Sequence, residues 1–401
     1  MKGFILITGS EFLTGLKQEK NSLYIAKEAY ERGIDINAVA IAGDDLYQIQ
    51  FLLKVALDKA DVVFISGGLG GTSDDITREA IQEAIGVPFI YDEEWLKKIK
   101  DYWKSMGRQI NENVKKMAKI PYGAKKIENP LGRALGFIKV LDDVKKVIVA
   151  LPGVPSEMKP MLKKAFGYLG LKEKKREVHI FRTFGKNEVE IDELLKDIDG
   201  KIINSSPKGV DIFITDKEKF FLENKVAVAR ERLGNVIYAE DNIEMEEVVG
   251  KILKEKGLTV STAESSTGGL IVSRLVNVPG ASSYVMAGIV SYSNQAKMSI
   301  LGVKKETLET FGAVSEEVAR QMVEGTKKLN GTDIALSDTG IAGPTGETPE
   351  KPVGLHYVGY SDSKKTEVHR VIFKGERNDV RLYISQYALN LVRLHIPHPE
   401  E

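Results

Sequence analysis

The sequence predicts an α/β protein with two three-layer α/β/α domains joined by a small α+β domain. The 401 residues are more than one hydrophobic core usually serves. Short β-branched runs alternate with helical patterns through the first part of the chain, and the same alternation returns near Met245. The stretch between them has shorter elements and more polar residues. We therefore expect domains at residues 1–168, 169–244 and 245–401.

In the first domain, strands and helices alternate in the order of a doubly wound parallel sheet. The apolar runs predict strands at 3–8, 36–42, 61–66 and 147–151. The helical patterns between them predict helices at 21–32, 46–59 and 75–85. A long Lys-rich segment precedes the last strand, and Pro155 is placed to open a further helix.

The third domain repeats this alternation after an amphipathic helix that starts near Met245. Its strands are expected at 258–263, 286–292, 333–339, 353–360 and 366–373. Its later helices are expected from 268 onward and at 294–301, 315–330 and 377–393. This order again predicts helices on both faces of a sheet.

The composition excludes several functional classes. Lys plus Arg and Asp plus Glu both number 57, so no basic surface indicates a nucleic-acid partner. The chain has no cysteine, which excludes disulfides, thiolate catalysis and Cys-ligated metal centres. No run approaches the roughly 18 apolar residues that a bilayer span requires. We expect a cytoplasmic protein without a membrane partner.

A turn of small residues in the third domain supplies a candidate nucleophile. Segment 262–269, Thr-Ala-Glu-Ser-Ser-Thr-Gly-Gly, follows an apolar strand and precedes a helix, whose free amides could hold an oxyanion near Ser265. None of the five histidines stands in a Ser-His-Asp pattern. Lys297 could act as base if desolvation lowers its pKa. The alternative is a plain turn and a surface lysine.

Two later segments add binding chemistry. The Gly-rich segment 337–346 follows another apolar strand, where a phosphate or ribose can be bound. Arg377 and Arg381 lie one helical turn apart and could face a ligand phosphate, although their pattern alone favours solvated helix charges.

Together these segments resemble the C-terminal domain of the CinA family, a nicotinamide mononucleotide deamidase module. The matching segments are 263–269, 292–294 with Lys297, 312–315, 339–344 and 351–354. The resemblance implies hydrolysis of the carboxamide without a cofactor, with Ser265 as nucleophile, Lys297 as base and Tyr292 beside them. It also implies substrate contacts at Glu264, Thr267, Gly268, Gly269, Asn294, Thr339, Gly340, and Arg377 or Arg381.

A second candidate site lies in the first domain. The loop 66–75, Ser-Gly-Gly-Leu-Gly-Gly-Thr-Ser-Asp-Asp, follows a buried strand and could bind a phosphate through Gly67, Gly68, Gly70 and Thr72. Carboxylates stand at the carboxyl ends of the same strands, where open α/β sheets bind ligands. Without His or Cys nearby, they suit Mg²⁺ or a similar divalent metal. The predicted ligands are Glu11, Asp44, Asp74 and Asp75. Asp45 and Asp75 could instead be plain helix caps.

This half resembles the molybdopterin-binding-type domain of the same family, on segments 43–45, 67–75, 129–132 and 151–155. The resemblance implies metal-dependent ADP-ribose pyrophosphatase activity. Gly71 is a departure, since the family commonly has Pro there. The middle domain resembles the family's KH-like domain, but it lacks a Gly-x-x-Gly loop for a nucleic-acid backbone.

The sequence thus predicts a bifunctional hydrolase of pyridine-nucleotide salvage that acts on nicotinamide mononucleotide and ADP-ribose and forms a homodimer. Two alternatives remain. The first domain could only bind a nucleotide or pterin, or the protein could be a competence-related scaffold that contacts DNA.

Overall fold

The computed structural model describes residues 1–173, 177–216 and 218–396, and the chain divides into two compact units, residues 1–176 and 177–401. The end of the predicted third domain, residues 397–401, lies outside the described residues. The α/β fold class is confirmed. The separation of the second unit into a connector and a C-terminal domain at residue 245 stays a prediction.

The first unit contains eight strands and seven α-helices within its described residues. The strands are β1 (Lys2–Thr8), β2 (Asp35–Ala42), β3 (Val62–Ser66), β4 (Phe89–Tyr91), β5 (Lys119–Pro121), β6 (Lys125–Ile127), β7 (Gly136–Leu141) and β8 (Lys146–Leu151). The helices are α1 (Ser10–Leu13), α2 (Asn21–Tyr30), α3 (Leu46–Lys59), α4 (Thr77–Ile85), α5 (Glu93–Ser105), α6 (Glu112–Lys115) and α7 (Pro155–Tyr168).

Helices cover both faces of its six-stranded sheet, whose order is β2-β1-β3-β8-β7-β6. Alternation along β1 divides the core, because Phe4 and Leu6 pack with α3 and α4 while Ile5 and Ile7 pack with α2 and α7. The expected doubly wound parallel sheet is found in β2, β1, β3 and β8, which all run in the same direction. At the edge beyond β8 the expectation is wrong, because β7 pairs antiparallel with both β8 and β6 and is the one strand that is reversed among those the structure describes in this sheet.

The second unit contains nine strands and eight α-helices within its described residues. The strands are β9 (Val178–Thr183), β10 (Lys201–Ser206), β11 (Gly209–Thr215), β12 (Ile237–Glu240), β13 (Val260–Glu264), β14 (Val285–Val290), β15 (Ile334–Gly340), β16 (Leu355–Ser361) and β17 (Thr366–Ile372). The helices are α8 (Glu188–Leu194), α9 (Lys219–Leu233), α10 (Met245–Lys256), α11 (Leu270–Val276), α12 (Asn294–Leu301), α13 (Lys305–Phe311), α14 (Glu316–Asn330) and α15 (Arg377–His395).

This unit has two sheets. The first, β10-β11-β9-β12, is antiparallel, and its elements follow the β-α-β-β-α-β order of the split βαβ motif. The second has the order β14-β13-β15-β16-β17, with three parallel strands followed by two antiparallel ones. Helices α10, α11 and α15 pack on one face and α12, α13 and α14 on the other, which gives the predicted three layers. No helix among the described residues has both the length and the apolar character needed to cross a membrane.

Candidate functional sites

The candidate nucleophile lies where two parallel strands end side by side. Ser265 follows β13 directly, and Ser291 follows its neighbour β14, with the Ser291 amide donating to the Glu264 carbonyl at 2.8 Å. Helix α12 starts at Asn294 and carries Lys297 back over this edge. Because the carboxyl ends of parallel strands share one edge of a sheet, the fold itself brings Ser265 and Lys297 together.

The side chain of Lys297 is buried against the nucleophile. Its Nζ lies 2.9 Å from Ser265 Oγ and 2.7 Å from the Ser291 carbonyl oxygen. Lys297 is 1% exposed, and burial lowers its pKa from the ordinary 10.5, while the charge of Asp338 acts in the opposite direction. A lysine with a lowered pKa and a serine hydroxyl in hydrogen-bond contact have the arrangement of a nucleophile and its base.

Asp338 holds the nucleophile turn in place, although the sequence did not single it out as a site residue. It lies near the end of β15 and is fully buried. Its carboxylate accepts hydrogen bonds from the amides of Ser265 and Ser266, both at 3.0 Å, and of Thr267 at 3.2 Å. It also accepts from the hydroxyls of Ser266 and Thr267. A charged residue in an otherwise uncharged strand was the available sequence signal.

The expected oxyanion donors were the amides at the start of α11, where those of Ile271 and Val272 already donate to Glu264. The amides of Ser265, Ser266 and Thr267 already donate to Asp338, so they are not free to receive a developing oxyanion. The amides of Gly268 and Gly269 have no acceptor in the part of the chain that the structure describes. Both glycines have positive φ angles, 62° and 93°, a conformation that other residues rarely adopt. They are the remaining backbone donors beside Ser265.

Glu264 is a second buried carboxylate in this turn, and its contacts give it a positioning role. It is fully buried, and it accepts from the amides of Ile271 and Val272 at 3.0 and 2.8 Å at the start of α11. The Thr267 hydroxyl lies 2.7 Å from Glu264 and also contacts Asp338. Burial and then the charge of Asp338 raise the pKa of Glu264. The Thr267 hydroxyl bridges two buried carboxylates, which holds its side chain in the turn.

The predicted substrate contacts on the rim come together around Tyr292. Tyr292 is 65% exposed, and Arg377 Nη2 lies 3.4 Å from its hydroxyl. Arg377 also donates to the Gly343 carbonyl at 2.7 Å. Arg381, one turn further along α15, donates to the Thr267 carbonyl at 2.7 Å and therefore lies directly over the nucleophile turn. Asn294 is exposed at the start of α12.

Two other predicted contacts support the neighbouring loop. Thr339 is 1% exposed and donates its hydroxyl to the Ala313 carbonyl at 2.7 Å. Gly340 lies against the buried ring of His356, where an added Cβ would come within 2.0 Å of Cδ2. Thr339 and Gly340 therefore lie at the base of the site, whereas Tyr292 is exposed on its rim.

In the first unit, the predicted glycines and carboxylates line a single cleft of about 350 Å³. Its walls come from the ends of β1, β2, β3 and β8. The lining includes residues that the sequence analysis did not name, among them Lys17 and Arg133, which add positive charge. Those that it named are Glu11, Asp44, Gly67, Gly68, Gly70, Asp74 and Asp75.

The glycine loop depends on close backbone approaches. An added Cβ on Gly67 would lie 2.2 Å from the Thr8 carbonyl oxygen, and one on Gly68 would lie 2.1 Å from Thr77 Oγ1. At Gly70 it would lie 2.4 Å from the Asp75 carboxylate. Thr72 does not line the cleft, because its amide and hydroxyl are turned onto Asp75.

Arg78 holds the glycine loop from below, and sequence reasoning did not identify it. It is 2% exposed and donates to four carbonyl groups, including those of Leu69, Met117 and Leu135. Burial lowers the pKa of Arg78 to about 10. Its position on α4 was predictable, but its carbonyl partners come from distant segments of the chain.

The carboxylate oxygens of the cleft are the type of ligand that a hard divalent cation prefers. In the described part of the chain, however, their spacing does not place three of them around one ion. All four predicted ligands offer only oxygen, which Mg²⁺ prefers. Asp44 accepts from the Ser10 amide at 2.9 Å, and Asp75 accepts from Thr72. No three carboxylates of this cleft have ligand atoms within 4.8 Å of one another among the described residues. Mg²⁺ commonly takes one or two carboxylates with substrate phosphates, so the donor set remains compatible with it. Asp45 is the cap of α3, accepting from the Gln48 amide at 2.8 Å.

Comparisons with known proteins give a matching family model for each of the two proposed catalytic parts of the chain. The model of the CinA C-terminal domain matches residues 242–396, and the model described as "Probable molybdopterin binding domain" matches residues 4–170. A CinA-like protein from Sulfurihydrogenibium sp. strain YO3AOP1 is 59% identical over 396 residues, covering 99% of each chain. The chain belongs to the CinA family.

Other members are more distant. A CinA-like protein from Kosmotoga olearia is 40% identical over 407 residues, which is 98% of each chain. The CinA protein from Thermoplasma acidophilum, whose structure is solved, has 36% sequence identity with this chain and a TM-score of 0.38. The match covers 42% of this chain and 96% of the Thermoplasma chain. Family membership identifies the two domain types, but these names do not state a reaction.

Proposed function

We propose that this CinA family member is a hydrolase that deamidates nicotinamide mononucleotide with Ser265 as nucleophile and Lys297 as base. The observation that carries the proposal is the 2.9 Å contact between Lys297 Nζ and Ser265 Oγ, made by a lysine that is almost fully buried. A serine hydroxyl is a weak nucleophile until a neighbouring base takes its proton. Burial lowers the pKa of Lys297 and so increases the neutral fraction that can do this.

The reaction is acyl transfer in two steps. Neutral Lys297 accepts the Ser265 proton while Oγ bonds to the carboxamide carbon, and the same proton then passes to the departing ammonia. Water next attacks the nicotinoyl-serine ester with Lys297 again as base, which releases nicotinic acid mononucleotide. The amides of Gly268 and Gly269 are the donors available to the oxyanion. These residues need no metal or organic cofactor for either step.

The rim suits a nucleotide that carries an aromatic ring and a phosphate. The exposed ring of Tyr292 offers a surface for stacking, and the guanidinium groups of Arg377 and Arg381 flank the opening. Arg377 has one contact to Tyr292 and one to a backbone carbonyl, which leaves further N–H groups for an anion. We assign the phosphate to Arg377, because all three guanidinium nitrogens of Arg381 already donate to Thr267 or Asn378.

The test is ammonia release from nicotinamide mononucleotide by the wild type and by Ser265→Ala, without added metal. We expect release by the wild type and loss of turnover in the variant, with substrate binding retained in calorimetry. A second pair compares Lys297→Met with Lys305→Met, because Lys305 is an exposed lysine at the start of α13. Normal activity of Lys297→Met at neutral pH would remove the base from the mechanism.

For the first unit, the cleft favours a second activity, metal-dependent hydrolysis of ADP-ribose to AMP and ribose 5-phosphate. Its close-fitting glycines, five carboxylates and two basic side chains together suit a pyrophosphate with a bound divalent ion. A divalent ion held by one or two of the carboxylates of Glu11, Asp44, Asp74 and Asp75 would neutralise charge on the pyrophosphate. Lys17 and Arg133 would bind its outer oxygens, and the glycine amides would orient it.

This second activity is tested by ADP-ribose turnover with and without Mg²⁺ in the wild type, in Asp75→Ala and in Asp45→Ala. Asp45 is the control, because its carboxylate caps α3 and does not line the cleft. Metal-dependent cleavage that only Asp75→Ala abolishes supports the hydrolase. Binding of ADP-ribose without cleavage would instead make the unit a nucleotide-binding module. The homodimer and the cytoplasmic location stay predictions.

A further inference from the structure

Two histidines and a glutamate form a cluster that neither proposed activity uses. Glu367 and His369 are two residues apart on the edge strand β17, so their side chains lie on the same face of the strand. His395 is the last residue of α15, which packs on this sheet. One ligand atom from each residue lies within 4.8 Å of the other two, a condition that no other such group meets in the described part of the chain.

The ligand atoms converge on one point. His369 Nε2 lies 3.0 Å from Glu367 Oε1, and His395 Nε2 contacts the same oxygen. The side chains of Glu367, His369 and His395 are 26%, 33% and 20% exposed, so the cluster is partly enclosed but reachable from solvent.

We propose that Glu367, His369 and His395 bind a divalent transition metal, with Zn²⁺ as the best match. Two imidazole nitrogens and one carboxylate form a ligand set typical of Zn²⁺, with a fourth position left for solvent. Mg²⁺ and Ca²⁺ prefer sites made of oxygen alone, so the two histidines separate this cluster from the cleft of the first unit. The site requires no cysteine, which the chain lacks.

Outer contacts orient one of the ligands. The Tyr387 hydroxyl lies 3.3 Å from His369 Nδ1, on the ring edge away from Glu367. A proton on Nδ1 that is donated to Tyr387 leaves the lone pair of Nε2 for a metal ion. Metal-bound histidines commonly have such a partner on the second nitrogen.

The ammonium group of Lys365 occupies a position at the cluster where it would compete with a metal ion. This ammonium lies 2.8 Å from Glu367 and 3.4 Å from His395 Nδ1. A bound dication would replace this ammonium as the partner of Glu367, and the two positive charges would repel each other. Removal of Lys365 should therefore strengthen metal binding, a result that a purely structural network of ion pairs does not predict.

Metal binding would link two elements of the fold. Helix α15 begins at Arg377, beside Tyr292, and ends at His395, so the metal would tie the far end of this helix to β17. A ligand that binds only the folded state stabilises it by mass action. The unfolding temperature should therefore rise with Zn²⁺.

The experiment titrates ZnCl₂ into the untagged full-length chain, after chelator treatment, in competition with a chromogenic chelator. We expect one site per chain, at least about tenfold weaker in His395→Ala and in Glu367→Gln, and tighter in Lys365→Ala. His179→Ala is the matched control, since His179 pairs with Glu240 at 2.8 Å without a second histidine. The Zn²⁺-dependent rise in unfolding temperature should follow the same order.

Absence of a Zn²⁺ site in the wild type overturns the proposal, as does equal affinity of wild type and His395→Ala. If His395→Ala fails to fold, Glu367→Gln and Lys365→Ala carry the test, because each changes affinity in a stated and opposite direction. Neither readout depends on either proposed enzymatic activity.

Discussion

Replacement of Asp338 by Asn tests how the nucleophile turn is held. One oxygen of Asp338 accepts from the Ser265 amide and the Thr267 hydroxyl, and the other accepts from the amides of Ser266 and Thr267 and the Ser266 hydroxyl. An Asn side chain has one oxygen and one NH₂ group. Whichever way the amide is turned, its NH₂ group faces at least one backbone N–H.

The cheapest orientation places the NH₂ group on the side of Ser265, because the Thr267 hydroxyl can rotate while the backbone cannot. One buried amide then loses its acceptor, which costs about 1–3 kcal/mol. The opposite orientation leaves two amides without an acceptor and costs more. For a unit of this size, a loss of about 2 kcal/mol lowers the unfolding temperature by roughly 4–8 °C. The unpaired amide is that of the nucleophile itself, so activity should fall as well.

The assays are thermal unfolding and ammonia release. Asp333→Asn is the control, because only one oxygen of Asp333 is used, by the Thr259 amide and hydroxyl at 2.8 and 2.7 Å. Its Asn amide can keep both bonds through its own oxygen, so little change is expected. The reasoning would be refuted if Asp338→Asn lowered the unfolding temperature no more than Asp333→Asn does and released ammonia at the normal rate.

Further predictions concern the base, the rim and the cleft. The value of kcat/KM should rise with pH until Lys297 is neutral and then level off, with a midpoint below the ordinary 10.5, because burial lowers its pKa; pH–rate profiles measure this. Arg377→Ala should raise KM for nicotinamide mononucleotide more than for nicotinamide riboside, which lacks the phosphate; equal effects would remove its phosphate role. Gly68→Ala should abolish ADP-ribose binding in calorimetry, because its Cβ would lie 2.1 Å from Thr77, whereas Gly71→Ala, with its nearest atom at 3.3 Å, should bind normally.

Much of this architecture could be predicted from the sequence. Short β-branched runs between helical patterns predicted four of the six strands in the first unit's main sheet and all five strands of the sheet that contains β13, to within a few residues, and strand ends predicted where Ser265 and Lys297 would meet. Strand β6 was missed because two of its three residues are lysines, so that its pattern resembles a loop, and β7 was missed although it is as long as β8.

The parts that were missed depend on which strands are neighbours. Asp338 contacts the nucleophile turn because β15 pairs with β13, and the sequence does not specify that pairing or its register. Arg78 likewise binds carbonyl groups of segments that are distant in the chain. Buried carboxylates such as Glu264 look like substrate ligands in a motif, and only their hydrogen bonds show that they support the turn.

The central claim is that Lys297 activates Ser265 for attack on a carboxamide. Its most direct test combines rapid acid quench of the wild type during turnover of nicotinamide mononucleotide with mass spectrometry of the Ser265 peptide, beside ammonia release by Ser265→Ala. The account predicts an ester on Ser265 in the wild type and no turnover in the variant. Ammonia release by Ser265→Ala at the wild-type rate would contradict it.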